Sequence, residues 1–358
     1  MRIVRKGWGL LRAAVACAAV GRFNQWVLGV VEQRLLHRFR ALRHGLDLNR
    51  GAQGSLHNFR RNVHRLEKAL SYQVQKPVFG EDYIQETIQY LRDGRSTGGL
   101  DEQTVRWGES VLDVYFERCQ STVRVDEARR LYREVRSGTP SPGWAPYLES
   151  QRSAVAVAYD DLLQLAVRRR SVRLYRAEPP DRDLIRKAMA VAALSPSACN
   201  RQAFRFLYYD DAELVKQISA IPGGIAGYTL PAVVLVTGCY RGYFDARDFN
   251  TPLIDASLAS MAFLLALETL GLSSVCANWP CLPDRDAQVR TLLGLADDMF
   301  VVLLIGVGHP LPEGLIPYSA KQPQEALLRF NERSVGPKVT PMSSALRSQV
   351  QQEDSVAQ

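Results

Sequence analysis

The sequence predicts an α+β protein whose N-terminal half is entirely helical. Apolar residues recur at steps of three and four through much of residues 22–150, which is the spacing of a helix face. From about residue 152, helical patterns alternate with short runs typical of strands. The chain has 358 residues, of which 46% are hydrophobic, so it is long enough to bury a sizeable core. This composition excludes a disordered or low-complexity protein.

The helical half is best defined between residues 56 and 136. Five apolar residues share one helix face: Leu56, Phe59, Val63, Leu66 and Leu70. The same spacing predicts further helices over about 82–93, 101–119 and 125–136. The turn-forming run Ser137–Gly143 then indicates a domain boundary.

The C-terminal half combines helices with strands. Helices are predicted over 152–168, 181–194, 252–270 and 282–293, and strands over 204–209, 232–237 and 300–307. Asp181 suits a helix start, and Gly271 suits a left-handed helix end. We therefore predict four parts, which are a basic arm (1–50), a helical region (51–150), an α+β domain (151–335) and a polar tail (336–358).

The positive charge is concentrated near the N-terminus. The net charge is +8, but residues 1–70 contain 14 Lys and Arg against 3 Asp and Glu, which is +11. The rest of the chain therefore sums to −3. Such asymmetry is typical of contact with an anionic membrane or an acidic protein, and specific nucleic-acid binding is not expected. The alternative is a pair of solvated basic helices without a partner.

The first 21 residues have a basic start and an apolar middle, as secretion signals do, but Arg12 interrupts the apolar segment. A helix lying in a membrane interface is the alternative, with Trp8, Leu11 and Val15 on one side. No stretch of the sequence reaches the roughly 18–20 apolar residues that a membrane span needs. The six Cys form no CxxC pair, which favours reduced thiols. We expect a cytoplasmic protein, with membrane association as the alternative.

Two polar segments could bind a ligand. Residues 168–173 read Arg-Arg-Arg-Ser-Val-Arg, and adjacent guanidinium groups with a hydroxyl can hold a phosphate, although such runs are more often solvated. Residues 195–202 read Ser-Pro-Ser-Ala-Cys-Asn-Arg-Gln between a predicted helix and strand. Small residues there would let a flat ligand approach the backbone, and Asn200 and Gln202 could bond its edge. A simple turn is the alternative.

Taken together, these two segments resemble the FMN-dependent nitroreductase family. Two later segments agree in order, since Asp255–Leu272 is similar to that family's long core helix and Phe300–Pro310 to its last core strand and Gly-x-Gly-x-Pro turn. The resemblance covers about residues 165–330. It implies a mixed, mainly antiparallel sheet flanked by helices, and a homodimer with two FMN sites at its interface.

The resemblance also implies which residues bind FMN. Arg169, Arg170 and Ser171 match positions that hold its phosphate and ribose, and Arg173 matches the cation facing the N1–O2 edge of its ring. The segment that reaches the flavin from the opposite subunit is matched by Pro196, Ser197, Ala198 and Asn200. The loop near flavin N5 and O4 is matched by Ala277, Asn278 and Trp279. A late phosphate-binding cation is matched by Lys321.

The implied activity passes hydride from NADH or NADPH through the flavin to an unidentified flat acceptor, such as a quinone or nitroaromatic. Because the cofactor carries this chemistry, no catalytic side chain is expected. No metal is expected either, since His57 and His64 lack a carboxylate at metal-binding spacing. Arg61, Arg65 and Lys68 share a helix face, which could bind an anionic ligand or simply be a surface.

Two departures from the family concern the flavin pocket. Only residues 238–251 fill the place where many members insert helices over the flavin, and residues 223–231 are also short. Residues 56–80 resemble the helical extension of nitroreductase-like proteins associated with polysaccharide biosynthesis. We therefore predict that the helical region borders the site as a lid. The alternative to the oxidoreductase function is a flavin-binding or flavin-less accessory protein of a polysaccharide pathway, acting through its basic N-terminal region.

Overall fold

The computed structural model describes residues 35–51, 55–74, 76–137, 143–225, 227–280 and 282–331. The chain up to Ile316 forms one compact unit, and the chain from Pro317 forms a second. The signal-like segment over 1–21 and the tail over 336–358 lie outside the described residues, as does most of the turn-forming run after Ser137.

The predicted helical region is confirmed. The helices of this region are α2 (Ser55–Leu70), α3 (Ile84–Ser96), α4 (Glu102–Arg118) and α5 (Val123–Val135), and α1 (35–50) precedes them. Helices α4 and α5 start where Asp101 and Thr122 accept hydrogen bonds from backbone N–H groups of their first turns. The predicted apolar face of α2 packs inward, into a core built from residues 59–132 alone.

Helix α1 packs on the C-terminal half of the chain. Ala41 and Leu42 are buried against Tyr240 and Phe300. The Arg38 guanidinium donates to Tyr240 Oη at 3.0 Å, which ties the helix to the same aromatic cluster. The basic arm predicted over 1–50 therefore stays a prediction for residues 1–34 only, because residues 35–50 are a packed helix.

The C-terminal half contains a four-stranded sheet in the order β1-β2-β4-β3. The strands are β1 (Phe204–Tyr209), β2 (Ala232–Cys239), β3 (Ser273–Asn278) and β4 (Met299–Gly308), and every neighbouring pair is antiparallel. In the described residues, parallel pairing occurs only as single bridges, from Ser171 to Ser274 and from Leu174 to Thr229. The α+β fold predicted from the sequence is confirmed.

Helices cover both faces of this sheet. Helices α7 (Arg182–Ala192) and α9 (Thr251–Thr269) pack on one face, and α8 (Ala212–Ala220) and α10 (Pro283–Leu293) pack on the other. Strand β2 alternates between the two cores, with Val234 and Val236 in the first and Val233 and Leu235 in the second.

Helix α6 (Tyr159–Arg168) contacts α9, and it begins seven residues later than predicted. Gly271, just after α9, has φ +73°, so the predicted left-handed helix end is confirmed. In the second unit, α11 (Gln324–Leu327) is a single turn.

One segment of the described chain, Ala246–Thr269, is long and apolar enough to cross a membrane by length and composition, so the prediction that no stretch reaches this length is wrong. It contains α9, whose inner face packs on the sheet through Ala259, Phe263 and Leu267. Half of the apolar window is buried in this way, which is typical of the central helix of a globular fold.

Candidate functional site

The chain that leaves α6 brings the predicted phosphate-binding residues to the edge strand β3. Ser171 bridges to Ser274, and the Val172 N–H donates to the Ser274 carbonyl at 3.0 Å. This pairing fixes the backbone of the segment. The side chains of Arg169, Arg170 and Ser171 are half-buried beside it.

The guanidinium groups of this segment have no acidic partner in the described part of the chain, except that of Arg168. Arg168 lies 3.5 Å from the Glu268 carboxylate, whose pKa is raised because it is buried. Arg173 is held by Tyr228 and by the backbone, since it donates to Tyr228 Oη and to the Ser171 carbonyl, both at 3.0 Å. Arginine stays charged, and Arg169 and Arg170 form no ion pair within the described chain, although the Glu268 carboxylate is near enough for its charge to act on Arg169. This donor set fits a phosphate.

The segment from Pro196 to Gln202 has an unusual backbone. Cys199, Asn200 and Gln202 have φ values of 52°, 51° and 51°, in the left-handed region that residues other than glycine rarely occupy. Three such residues within four positions need external support.

One source of that support is Asp255 on α9. The Ala198 N–H donates to both of its carboxylate oxygens, at 3.0 and 3.1 Å, and Tyr243 Oη donates to Oδ2 at 2.8 Å. Burial raises the pKa of Asp255, while these hydrogen bonds oppose the rise. Sequence reasoning included Asp255 in a motif but gave it no role.

The second source is α2, through a residue that sequence reasoning missed. Arg60 donates to the Asn200 carbonyl at 2.8 Å, to Gln202 Oε1 at 2.9 Å and to Thr104 Oγ1 at 2.7 Å. The Gln202 amide also donates to the Ala193 carbonyl at 2.9 Å. Both ends of this amide are therefore engaged within the protomer, which leaves little of it for the predicted contact with a flat ligand.

His57 makes the next contact from the same helix. Its Nδ1 lies 3.2 Å from the Arg201 carbonyl, and burial lowers the pKa of His57 to about 4. The imidazole is therefore neutral and donates through Nδ1–H. Together, Arg60 and His57 attach α2 directly to the predicted flavin-facing segment.

The predicted loop at 277–279 begins later than expected, because Ala277 and Asn278 are the last residues of β3. Ala277 is buried, whereas Asn278 is exposed on the opposite face of the strand. The Trp279 indole is buried and donates to Asp286 Oδ1 at 2.8 Å. Only the backbone of Trp279 is thus left for a ligand. Lys321 lies in the second unit, which begins at Pro317.

The two predicted ligand-binding segments lie at opposite corners of the sheet. Phe204, just after the second segment, is in register with Gly238 and through it with Phe300 at the start of β4. Ser274, beside the first segment, is in register with Val307 near the end of β4. Seven residues of strand correspond to roughly 23 Å, and the width of the sheet adds to this separation. One ligand ring cannot contact both segments of a single protomer.

One cleft in the described chain measures about 670 Å³ and lies between α8, residues 177–179 and residues 223–225 and 228–231. Its walls contain none of the predicted FMN-binding residues. No group of three His, Cys, Asp or Glu in the described residues is placed to hold a metal ion.

Comparison with known proteins finds a family similarity in the C-terminal part of the chain. Residues 166–223 and 225–309 match the family model described as "Nitroreductase family". A protein of Archaeoglobus fulgidus with the provisional name NADH dehydrogenase/NAD(P)H nitroreductase is 28% identical over 155 residues, covering 43% of this chain and 88% of its own.

Two further similarities are of comparable extent. An NADH dehydrogenase of Thermus thermophilus is also 28% identical, over 43% of this chain and 89% of its own. An FMN-dependent nitroreductase of Clostridium difficile, whose structure is known, is 20% identical over 48% of this chain and 99% of its own, with a TM-score of 0.41.

Proposed function

We propose that the protein is an FMN-dependent oxidoreductase that passes hydride from NADH or NADPH to a flat acceptor, because residues 166–223 and 225–309 match the nitroreductase family model. The observation that carries this proposal is the arginine cluster beside β3, in which Arg169 and Arg170 form no ion pair within the described chain. FMN would supply the hydride transfer at its ring system, and the protein would supply placement and charge.

Three residues would hold the FMN phosphate and ribose: Arg169, Arg170 and Ser171. Arg173 would place a positive charge near the ring edge, where it would stabilise the negative charge of reduced flavin. Support for this role comes from its fixed position, since Tyr228 and the Ser171 carbonyl both accept hydrogen bonds from it. Ala277, Asn278 and the backbone of Trp279 would lie near N5 and O4, and Lys321 would close on the phosphate.

The first experiment asks whether the purified protein carries flavin. The full-length protein should show the visible absorbance of oxidised FMN, and this absorbance should bleach when NADH or NADPH is added under argon. A colourless protein that also fails to bind added FMN would contradict the proposal.

We propose that two copies of the chain form each flavin site. A flavin held at Arg169–Arg173 of one protomer lies a sheet's length away from that protomer's own segment 196–202, so the segment would have to come from the partner. Exposed apolar residues on α6 and α9 support such pairing, because uncovered patches of this kind mark interaction surfaces. They are Leu162, Leu163, Val167, Ile254, Leu258 and Met261.

Oligomeric state and flavin content should therefore change together. Leu258→Arg on the exposed face of α9 should convert a dimer to a monomer in light scattering and release FMN. Glu117→Arg, on the exposed face of α4, is the matched control and should leave both unchanged. A monomer that retains FMN in full would contradict the shared site.

The helical region is proposed to act as the lid over this site. Residues 238–251 are too short to provide the covering helices of many relatives, and α2 instead attaches to segment 196–202 through Arg60 and His57. In a dimer, α2 would thus border the partner's flavin. Limited proteolysis tests this, since cleavage near Gly143 into halves that leaves flavin content and reduction rate unchanged would exclude a lid.

A second candidate function is an accessory role in surface polysaccharide metabolism, with or without flavin. The short pocket segment 238–251 and the basic N-terminal region favour it. The arginine cluster at Arg169–Arg173, where Arg169 and Arg170 form no ion pair within the described chain, argues against loss of FMN. Bleaching by NADH or NADPH, followed by reoxidation with a quinone, would exclude a purely accessory protein.

A further inference from the structure

Several arginines gather where α2 meets the chain after β2. The Phe244 ring is approached by three guanidinium groups, those of Arg61 at 3.8 Å and of Arg201 and Arg247 at 5.3 Å from its centroid. Arg65, one helical turn from Arg61, lies 3.6 Å from the centroid of another ring, that of Tyr83. Stacking on aromatic rings holds guanidinium groups flat and leaves their N–H edges for other partners.

Arg61 and Arg65 form no ion pair within the described chain, although the Glu86 carboxylate is near enough for its charge to act on Arg61. Of the nearby carboxylates, Asp248 accepts from Arg201 at 3.3 Å, and Glu86 accepts from a tyrosine hydroxyl. No described carboxylate lies within 4 Å of Arg61 or Arg65. Burial, together with the charges of Arg65 and Arg201, lowers the pKa of Arg61, yet an arginine does not lose its proton.

A buried polar group in the same cluster also lacks a partner. Asn62 is fully buried, and its Oδ1 lies 3.3 Å from Arg61 Nη1 and 3.5 Å from Arg65 Nη1. Its Nδ2 has no hydrogen-bond partner among the residues that the structure describes. Buried donors without a partner are uncommon, because each costs free energy. Arg61 and Arg65 are half-buried, so a ligand can reach them from solvent.

This cluster borders the segment assigned above to the partner's flavin. The neighbouring Arg60 bonds to the Asn200 carbonyl, and Arg201 of the same segment shares the Phe244 ring with Arg61. The site therefore combines two guanidinium forks, excess positive charge and a position at the mouth of the proposed flavin pocket.

We propose that Arg61 and Arg65 bind a phosphate group of a substrate that reacts at the flavin, a role that rests on the proposed function. Paired guanidinium edges suit phosphate oxygens, which accept several charge-assisted hydrogen bonds. Two sources have this chemistry. One is the pyrophosphate of the nicotinamide reductant, and the other is a phosphorylated acceptor.

Calorimetry with inorganic pyrophosphate tests the subsite independently of catalysis. The titration uses the full-length protein with added FMN, and in parallel the Arg169→Ala variant, in which the proposed cofactor phosphate site is disabled. The double variant Arg61→Gln/Arg65→Gln should bind pyrophosphate roughly tenfold more weakly or worse. Arg118→Gln/Arg124→Gln, which removes two exposed charges from the same helical region, should bind it normally.

Two results would overturn the subsite. One is absence of pyrophosphate binding by the unaltered protein, and the other is equal affinity in the Arg61→Gln/Arg65→Gln variant. Arg61→Lys/Arg65→Lys keeps the charge and should retain part of the affinity, and equal melting temperatures would show that the variants fold. Absence of flavin would refute the proposed function, whereas the calorimetric result would still decide whether the subsite exists.

Steady-state kinetics then identify the source of the phosphate. If it belongs to the reductant, KM for NADH or NADPH should rise roughly tenfold in the glutamine variant while kcat and KM for a quinone stay constant. If it belongs to the acceptor, KM for NADH or NADPH should be unchanged, and that for a phosphorylated acceptor should rise. Weaker pyrophosphate binding without a change in any KM would overturn the assignment to a substrate.

Discussion

The two segments predicted to contact flavin differ in how their polar groups are engaged. Around Arg169 and Arg170 the side chains form no ion pair in the described chain, the Arg170 guanidinium donates to the Arg169 carbonyl, and the backbone is fixed by pairing with β3. From Ala198 to Gln202 the reverse holds, since the backbone is strained and is held by Asp255 and Arg60. The first segment is therefore organised to receive a ligand, whereas the second is organised by the protein itself.

This difference shows what the extra helices contribute. Segment 196–202 lies within the residues that match the family model, but its conformation depends on α2, which lies outside that match. The helical region is consequently a structural part of the site. Altering α2 should therefore affect protein stability, whereas altering Arg169 should affect ligand binding alone.

The largest effect is expected from Arg60→Ala. Its guanidinium serves three acceptors, and removal leaves the Asn200 carbonyl and Thr104 hydroxyl without their donor. The free energy of unfolding should fall by about 4 kcal/mol, as measured by chemical denaturation. Arg106→Ala, which breaks an exposed helical ion pair with Glu102, is the control and should change it by less than about 0.5 kcal/mol. Equal effects would show that α2 does not support the segment.

A smaller, pH-dependent effect is expected from His57. Its folded-state pKa of about 4 lies below the ordinary value of 6.5, so the unfolded chain takes up a proton first as the pH falls. This contribution is fully present above pH 6.5 and is lost between pH 6.5 and 4, by about 3 kcal/mol in total. His57→Gln should flatten that part of the stability profile. A profile of the same steepness in the variant would contradict a buried neutral imidazole.

The smallest effect on stability is expected from Arg169→Ala. With no described acidic partner to lose, the variant should unfold at an unchanged denaturant concentration when FMN is absent. Its affinity for FMN should fall by about 2–3 kcal/mol, which is the loss of a charged hydrogen bond. Calorimetric titration with FMN measures this directly. Unchanged affinity would remove Arg169 from the phosphate site.

Local patterns predicted the parts of the fold that depend on local physics. The apolar spacing of α2, the cap at Asp181 and the left-handed Gly271 all follow from neighbouring residues. The start of α6 was placed too early, because residues 152–158 are as apolar as the helix that follows. The short edge strand β3 carries no alternating pattern, so its last residues were assigned to a loop.

The residues of the candidate site likewise fall into those that a local pattern identifies and those whose role depends on distant partners. A run of arginines is visible in the sequence, so Arg169 and its neighbours could be identified. Arg60 could not, since its partner Asn200 is 140 residues away and nothing near Arg60 distinguishes it from other helix-surface arginines. The role of Asp255 likewise depends on Ala198, 57 residues before it, and emerges only when α9 packs beside the segment.

The self-contained core of the helical region has a consequence for how the protein is made. Its buried residues all lie between Phe59 and Tyr132, so this core can form on the ribosome before segment 196–202 has been synthesised. When that segment emerges, Arg60 and His57 are already positioned to receive its carbonyl groups. During synthesis, α2 is therefore available before segment 196–202 has to adopt its strained conformation. A chain that began after residue 150 would have to form this segment without α2.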